Sequence, residues 1–394
     1  MQDDPVVIAG YARTPMGGFQ GVLSPLKATE LGAAAVKAAV ERAGVQADAV
    51  DRIYMGCVLP AGLGQAPARQ AALCAGLDRR TEATTINKMC GSGMQAAILA
   101  FETLTLGAAD IVIAGGMESM TNAPYALPKH RTGARIGHDR IIDTMMMDGL
   151  EDAYEPGKAM GVFAEEAARD YQFTRADQDA YAIRSLERAN AAIASGAFVR
   201  EITPVTIKGK RGEIVVDTDE QPGKARPEKI PGLQPAFAKD GTVTAANASS
   251  ISDGAAAMVM TRASVAEKLG LPCIATVIAT AAHAQEPAKF TSAPVPAIRK
   301  VLDKAGWSID DVDLVEVNEA FAVVAMIAAH DLAIPIEKLN VHGGATALGH
   351  PLGASGARIL ATLLGALEGR GLKRGVASLC LGGGEATAIA IEVA

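Results

Sequence analysis

Hydrophobic positions along the chain fall into two alternating patterns. Short uncharged runs, among them "VVIAG" (6–10), "IVIAGGM" (111–117) and "VASLCLGGG" (376–384), end at glycine and predict buried strands of an α/β fold. Between them lie segments with helical periodicity. Residues 35–57, "AVKAAVERAGVQADAVDRIYMGC", and 297–319, "AIRKVLDKAGWSIDDVDLVEVNE", align without a gap. Ala43-Gly44 falls on Ala305-Gly306, and Val50-Asp51 falls on Val312-Asp313. Each reads as an amphipathic helix capped by glycine, then a short turn, then an apolar strand.

A second pair of segments matches one position off the same offset. "CGSGMQAAILAFETLTLGAADIVIAGGME" covers 90–118, and "GASGARILATLLGALEGRGLKRGVASLCLGGGE" covers 353–385. Both have Ser-Gly opening a long apolar segment, then a Gly-bearing loop, a strand and a glycine cluster. Repetition of two βα units implies two similar α/β halves. The helices after Cys90 (Met94, Ala97, Ile98, Phe101) and after Ser355 (Ile359, Leu360, Leu363, Leu364) are apolar almost all round. Such helices are buried, so they belong in the middle of a layered core, between two sheets.

The region 122–249 breaks the pattern and reads as an insertion. It is richer in charge, Met and Pro, with loop and short helices over "RTGARIGHDRIIDTMMMDGLEDAYEPGK". One longer helix is predicted there. Thr174 and Asp177 form a capping box, and Ala182, Leu186, Ala189 and Ile193 share a face.

Composition sharpens this picture. With 394 residues, 49% hydrophobic and only 4% aromatic, the chain is a well-filled globular protein of two or three lobes. A net charge of -7 argues against nucleic acid as a partner. The apolar runs are short and broken by glycine, so no membrane span is expected. The acidic start "MQDDPVVIAG" lacks the pattern of a secretory signal. Five cysteines, odd in number and far apart, form no C-x-x-C, so neither a disulfide framework nor a metal site is expected. A reducing cytoplasm is the expected location.

Four places carry candidate chemistry. Cys90, in "NKMCGSGMQA", lies where an apolar helix begins, and a helix N-terminus favours a thiolate there. The plainer alternative is a packed thiol at a Gly-rich helix start. His350, in "HGGATALGHPLGASGAR", precedes the second central helix as Cys90 precedes the first. A pseudo-twofold would turn both toward one cleft. Cys380 ends a strand at the same edge, where α/β sheets bind ligands, and Gly382, Gly383 and Gly384 then offer N–H groups to an oxyanion. A phosphate loop is the rival reading, but neither G-x-x-x-x-G-K-[ST] nor G-x-G-x-x-G is present. Asn318-Glu319 follows another strand and reads equally as a helix cap with a first-turn acid.

Taken together, "NKMCGSGMQA", "GGMESMTNAPY", "TAANASSISDGAAA", "VNEAFA", "HGGATALGHPLGASGARIL" and "LCLGGGEATA" resemble the thiolase family over essentially the whole chain. The resemblance is greatest to its short-chain, acetoacetyl-CoA branch. It implies a five-layered αβαβα core with an inserted loop domain: an N-terminal half, 1–121 with 250–272, a loop domain, 122–249, and a C-terminal half, 273–394. It implies condensation of two acetyl-CoA to acetoacetyl-CoA and CoA, with coenzyme A thioesters as substrates and no resident cofactor. Cys90 would be the acylated nucleophile, and His350 its base and polariser of the second thioester. Cys380 would move the α-proton. Asn318 would hold a water for the enolate oxygen, and the N–H groups of Cys90 and Gly382 would form the other oxyanion hole. Met160, Ser249, Ala320 and Phe321 would line the acyl and pantetheine tunnel, and Lys224, Arg226 and Lys229 would meet the nucleotide phosphates. A homotetramer built as a dimer of dimers is also implied.

Three positions depart from the family pattern. Ala159 replaces a common pocket His, which opens the question of acyl-chain length. His342 stands where Asn is common. Glu385 follows the glycine triplet, and nothing in the sequence accounts for it. The competing expectations are a broader-chain 3-ketoacyl-CoA thiolase, a non-catalytic acyl-CoA-binding relative, and a ketoacyl synthase. Cys380 argues against the last, which would place a second His there.

Overall fold

In the computed structural model, which describes residues 4–209 and 212–394, the repeat becomes two matched half-sheets. The first half runs β3(Glu82–Ile86), β2(Arg52–Gly56), β4(Ile111–Ser119), β5(Ser252–Arg262), β1(Val6–Arg13). The second runs β7(Leu314–Val317), β8(Arg374–Leu381), β9(Glu385–Val393), β6(Ala275–Ala284). The pairing pattern is the same in both, apart from β3, which adds a further parallel strand to the first half. β2 is parallel to β4 as β7 is parallel to β8, and β4 is antiparallel to β5 as β8 is to β9.

The half-sheets are not separate, as the helix pattern had implied. A short antiparallel contact, Val7 with Thr276 and Ile8 with Ala275, joins β1 to β6 into one continuous hydrogen-bonded path. The layering persists because the sheet folds around its central helices. α2(Ser92–Thr105) and α5(Leu352–Arg370) pack on each other and on the inner faces of both halves. α1(Ala28–Ala43) covers the outer face of the first half and α4(Pro294–Ala305) that of the second. The five layers that the resemblance implies are therefore present.

Local signals explain the elements. α1 and α4 both end on a left-handed glycine, Gly44 and Gly306, each with φ 69°. α3(Arg175–Ser195) starts at the expected capping box of Thr174 and Asp177. The hairpin β8–β9 turns through Gly382–Gly384, whereas the matching hairpin β4–β5 is interrupted by 120–251. The large excursion thus leaves from the site edge of the sheet and returns to it. Among the described residues, no helix is long and apolar enough to cross a membrane.

Candidate active site

The crossing of α2 and α5 sets the geometry. Both helices start at the same place, backbone against backbone. A side chain at Gly93 would meet Gly353 O at 2.9 Å and Ala357 N at 2.8 Å; one at Gly356 would meet Met94 N at 2.3 Å. These two glycines occupy equivalent positions in the repeat, and each lets the other helix approach. The segments before the two helices, with Cys90 and His350, are thereby brought together.

Cys90 sits on a tight strand-to-helix turn. Met89 adopts a left-handed φ of 46°, which is strained for a side chain of this size. Ser92 pins the turn by accepting from Lys88 N at 2.8 Å and donating to Met89 O at 2.6 Å. Lys88 also forms an ion pair with Glu385. Glu385 thereby gains a physical account: it ties the Cys90 turn to the glycine turn of β8–β9.

His350 is 5% exposed and held on both sides. Its backbone N–H donates to Ser250 O at 3.1 Å. Nδ1 lies 2.5 Å from Ser355 Oγ, whose own proton goes to Pro351 O at 2.9 Å. Ser355 must then accept from Nδ1–H, and this leaves the lone pair on Nε2. Asn318, 1% exposed, lies beside the ring, with Nδ2 3.5 Å from Nδ1 and 3.4 Å from Nε2. Near-equal distances show that the amide lies beside the ring and is not aligned with the Nε2 lone pair. Asn318 caps no helix. Its neighbour Glu319 is a structural carboxylate, accepting from Tyr181, Ser185, Asn340 and Thr346.

One cavity of about 420 Å³ is lined by Cys90, His350, Cys380 and Gly382. Met160, Ser249, Ala320 and Phe321 form its wall, with Ala159 beside them. A neighbouring cleft is lined by Lys224, Arg226 and Lys229 and shares Ala245 and Ser250 with this cavity. The residues singled out in the sequence therefore converge, apart from Asn318, which stands behind His350, and Gly383 and Gly384, which, unlike Gly382, do not line the cavity.

Electrostatics corrects one expectation. A helix start was expected to favour the Cys90 thiolate, yet the thiol is pushed up to about 11. Burial is the main cause and outweighs the N–H groups of Gly382 and Cys90 that face the sulfur. Cys380 is raised further, by burial first and then by the nearby Cys90 sulfur. His350 is held down to about 3, by burial and then by Arg358. At rest the site holds two thiols and a neutral imidazole.

Two groups here left no signal in the sequence pattern. Glu118, at the end of β4, accepts from the N–H of Val58 at 2.8 Å, Leu59 at 3.1 Å and Gly353 at 2.8 Å. It ties the end of β2 to the start of α5, and burial raises its pKa to about 7. Arg358, on α5, is 0% exposed and donates to Asn318 Oδ1 at 3.3 Å. Among the described residues no His, Cys, Asp and Glu cluster suits a metal ion.

His342 makes a testable stability signal. Burial first, then Arg370 and Arg13, hold it down to about 4 from an ordinary 6.5. Between those pH values the unfolded chain binds a proton that the folded chain refuses. The associated stability is present above pH 6.5 and is lost as pH falls toward 4. Melting curves should show the wild type losing several degrees more than His342→Asn across this window. Equal losses would mean that His342 titrates normally.

Two family models match the chain: "Thiolase, N-terminal domain" over residues 6–264 and "Thiolase, C-terminal domain" over 271–393. The chain belongs to the thiolase family. Thiolases are acyltransferases, and the relatives agree. An acetyl-CoA acetyltransferase of Syntrophomonas wolfei is 48% identical over 391 residues, covering 98% of both chains. Acetyl-CoA acetyltransferase 1 of Arabidopsis thaliana is 50% identical, covering 100% of this chain and 95% of its own. The crystal structure of Acat5 thiolase from Ascaris suum in complex with coenzyme A superimposes with a TM-score of 0.94. It is 41% identical, with 99% of this thiolase and 100% of that chain covered.

Proposed function

We propose that this thiolase is an acetyl-CoA C-acetyltransferase that condenses two acetyl-CoA into acetoacetyl-CoA and CoA, reversibly, through an acetyl-Cys90 intermediate. The carrying observation is the convergence of two thiols and a neutral imidazole on one apolar cavity that meets a basic cleft. Such a shape suits a thioester whose far end bears phosphates, with Lys224, Arg226 and Lys229 at the phosphates and Met160 and Ser249 along the pantetheine arm.

The chemistry follows from the resting protonation state. His350 Nε2 takes the Cys90 proton as sulfur attacks the thioester carbonyl, and the Cys90 and Gly382 N–H groups receive the oxyanion. The C–S bond to CoA breaks, and Cys380 gives its proton to the departing thiolate. The site now holds an acetylated Cys90, a Cys380 thiolate and an imidazolium. A second acetyl-CoA loses its α-proton to Cys380, and its enolate oxygen is met by His350 and by a water held at Asn318. The carbanion attacks the acetyl group, a C–C bond forms and the Cys90–acetyl bond breaks. Cys90 recovers its proton from His350, and the cycle closes.

Relatives named acetyl-CoA acetyltransferases at 48% and 50% identity support the acetyl preference. Ala159 favours a second reading, a broader-chain 3-ketoacyl-CoA thiolase, since a small wall residue leaves room beside Met146 and Leu150. A cytoplasmic tetramer fits the same reading. Exposed Tyr125, Leu127, Ile136 and Ile141 on the excursion offer an apolar contact face.

Incubation with acetyl-CoA, quenching and peptide mass mapping tests the proposal. A single acetyl group on Cys90 is expected. Acetylation elsewhere, or none, would overturn it.

A further inference from the structure

Arg358 costs the core more than it returns in bonds. The side chain is 0% exposed and makes one hydrogen bond to a side chain, Nη2 to Asn318 Oδ1 at 3.3 Å. Nε and Nη1 are buried without a partner. Glu316, whose Oε2 also lacks a partner, is the nearest acidic group facing it, but burial raises its pKa to about 8, so it offers little negative charge; Glu201 and Glu319 lie beyond and Arg13 opposes. A buried charge so poorly paired contributes little net stability. Its position is informative: Arg358 lies one helical turn after Ser355 on α5, on the same face. Ser355 fixes the tautomer of His350.

We propose that Arg358 is a positioning residue that locks the Asn318 carboxamide with its NH₂ toward His350. The inference rests on the site role proposed for Asn318. A guanidinium has donors and no acceptor, so only Oδ1 can face it. Nδ2 must then face the imidazole, where it stands at 3.4 Å from Nε2. Were the amide reversed, Oδ1 would accept a proton from Nε2–H. That would stabilise the wrong tautomer against Ser355 and occupy the lone pair needed by Cys90. It would also remove the NH₂ donor that holds the water for the enolate oxygen. One turn of α5 thus sets both nitrogens of the catalytic histidine, directly through Ser355 and indirectly through Arg358.

The test separates this from a merely structural role by comparing turnover with KM and by using a second background. Arg358→Met should slow condensation by about tenfold to a hundredfold, with KM for acetyl-CoA within about twofold. In an Asn318→Ala background the same change should cost less than about threefold, because its target is gone. Equal losses in the two backgrounds, or no loss in the first, would overturn the inference. If Asn318→Ala alone leaves condensation unchanged, the role of Asn318 fails and the inference falls with it. If Asn318→Ala slows condensation and Arg358→Met does not, only the inference falls. Should Arg358→Met not fold, Arg358→Lys serves in its place, since it keeps a charge and a donor. It should slow condensation about threefold to tenfold in the wild-type background and have no effect with Asn318→Ala. Equal losses in both backgrounds would again overturn it.

Discussion

Cys90→Ala should abolish acyl-enzyme formation and lower turnover in both directions by on the order of 10⁴-fold or more. Loss of a nucleophile removes the covalent route itself, and nothing else in the cavity replaces it. Cys380 is the other thiol there, but burial, the larger cause of its raised pKa, keeps it protonated even without the Cys90 sulfur. The fold should survive, because Cys90 is partly exposed to the cavity and the change removes a single sulfur. Rapid-quench assays with acetyl-CoA, read by intact mass, provide the check. A variant that still acquires an acetyl group on another thiol would transfer the nucleophile's role to that residue.

Cys380→Ser should divide the two half-reactions. Acetyl transfer to Cys90 should remain detectable, while condensation should fall by on the order of 10²–10⁴-fold, the range expected for loss of a general acid–base group. A serine hydroxyl is close in size but far more reluctant to ionise, so it fills the space without taking the α-proton. Exchange of the acetyl-CoA methyl protons with solvent deuterium should stop together with condensation. Near-normal condensation, or exchange that persists, would remove Cys380 from the role of base. The position of this thiol near the end of β8, two residues before the glycine turn, is what makes the assay specific. A change there leaves His350, Ser355 and the Cys90 turn untouched.

Much of this site could be read from one dimension. Cys90, His350 and Cys380 stand at ends of repeated units, and matched units placed at matched strand edges must meet if the halves are related by a twofold. Lys224, Arg226 and Lys229 were expected at the phosphates from the family resemblance, and they line the cleft beside the cavity. Arg358 carries no such signal, because it sits in an apolar helix next to a motif, and the residue it bonds, Asn318, is forty residues away in sequence. Glu385 was equally opaque, since its partner Lys88 lies at the other end of the chain.

The sequence by itself determined the units: the helix ends at Gly44 and Gly306, the start at Thr174, the buried helices and the repeat that doubles them. Those features depend on neighbours within a turn or a strand, where period and capping chemistry act. Tertiary structure decided the joining of the half-sheets at Val7 and Ile8, the tautomer of His350 and the protonation of the thiols. Ionisation depends on how much chain excludes water from a sulfur. At Cys90 that burial overrides the N–H groups that local sequence had placed beside it.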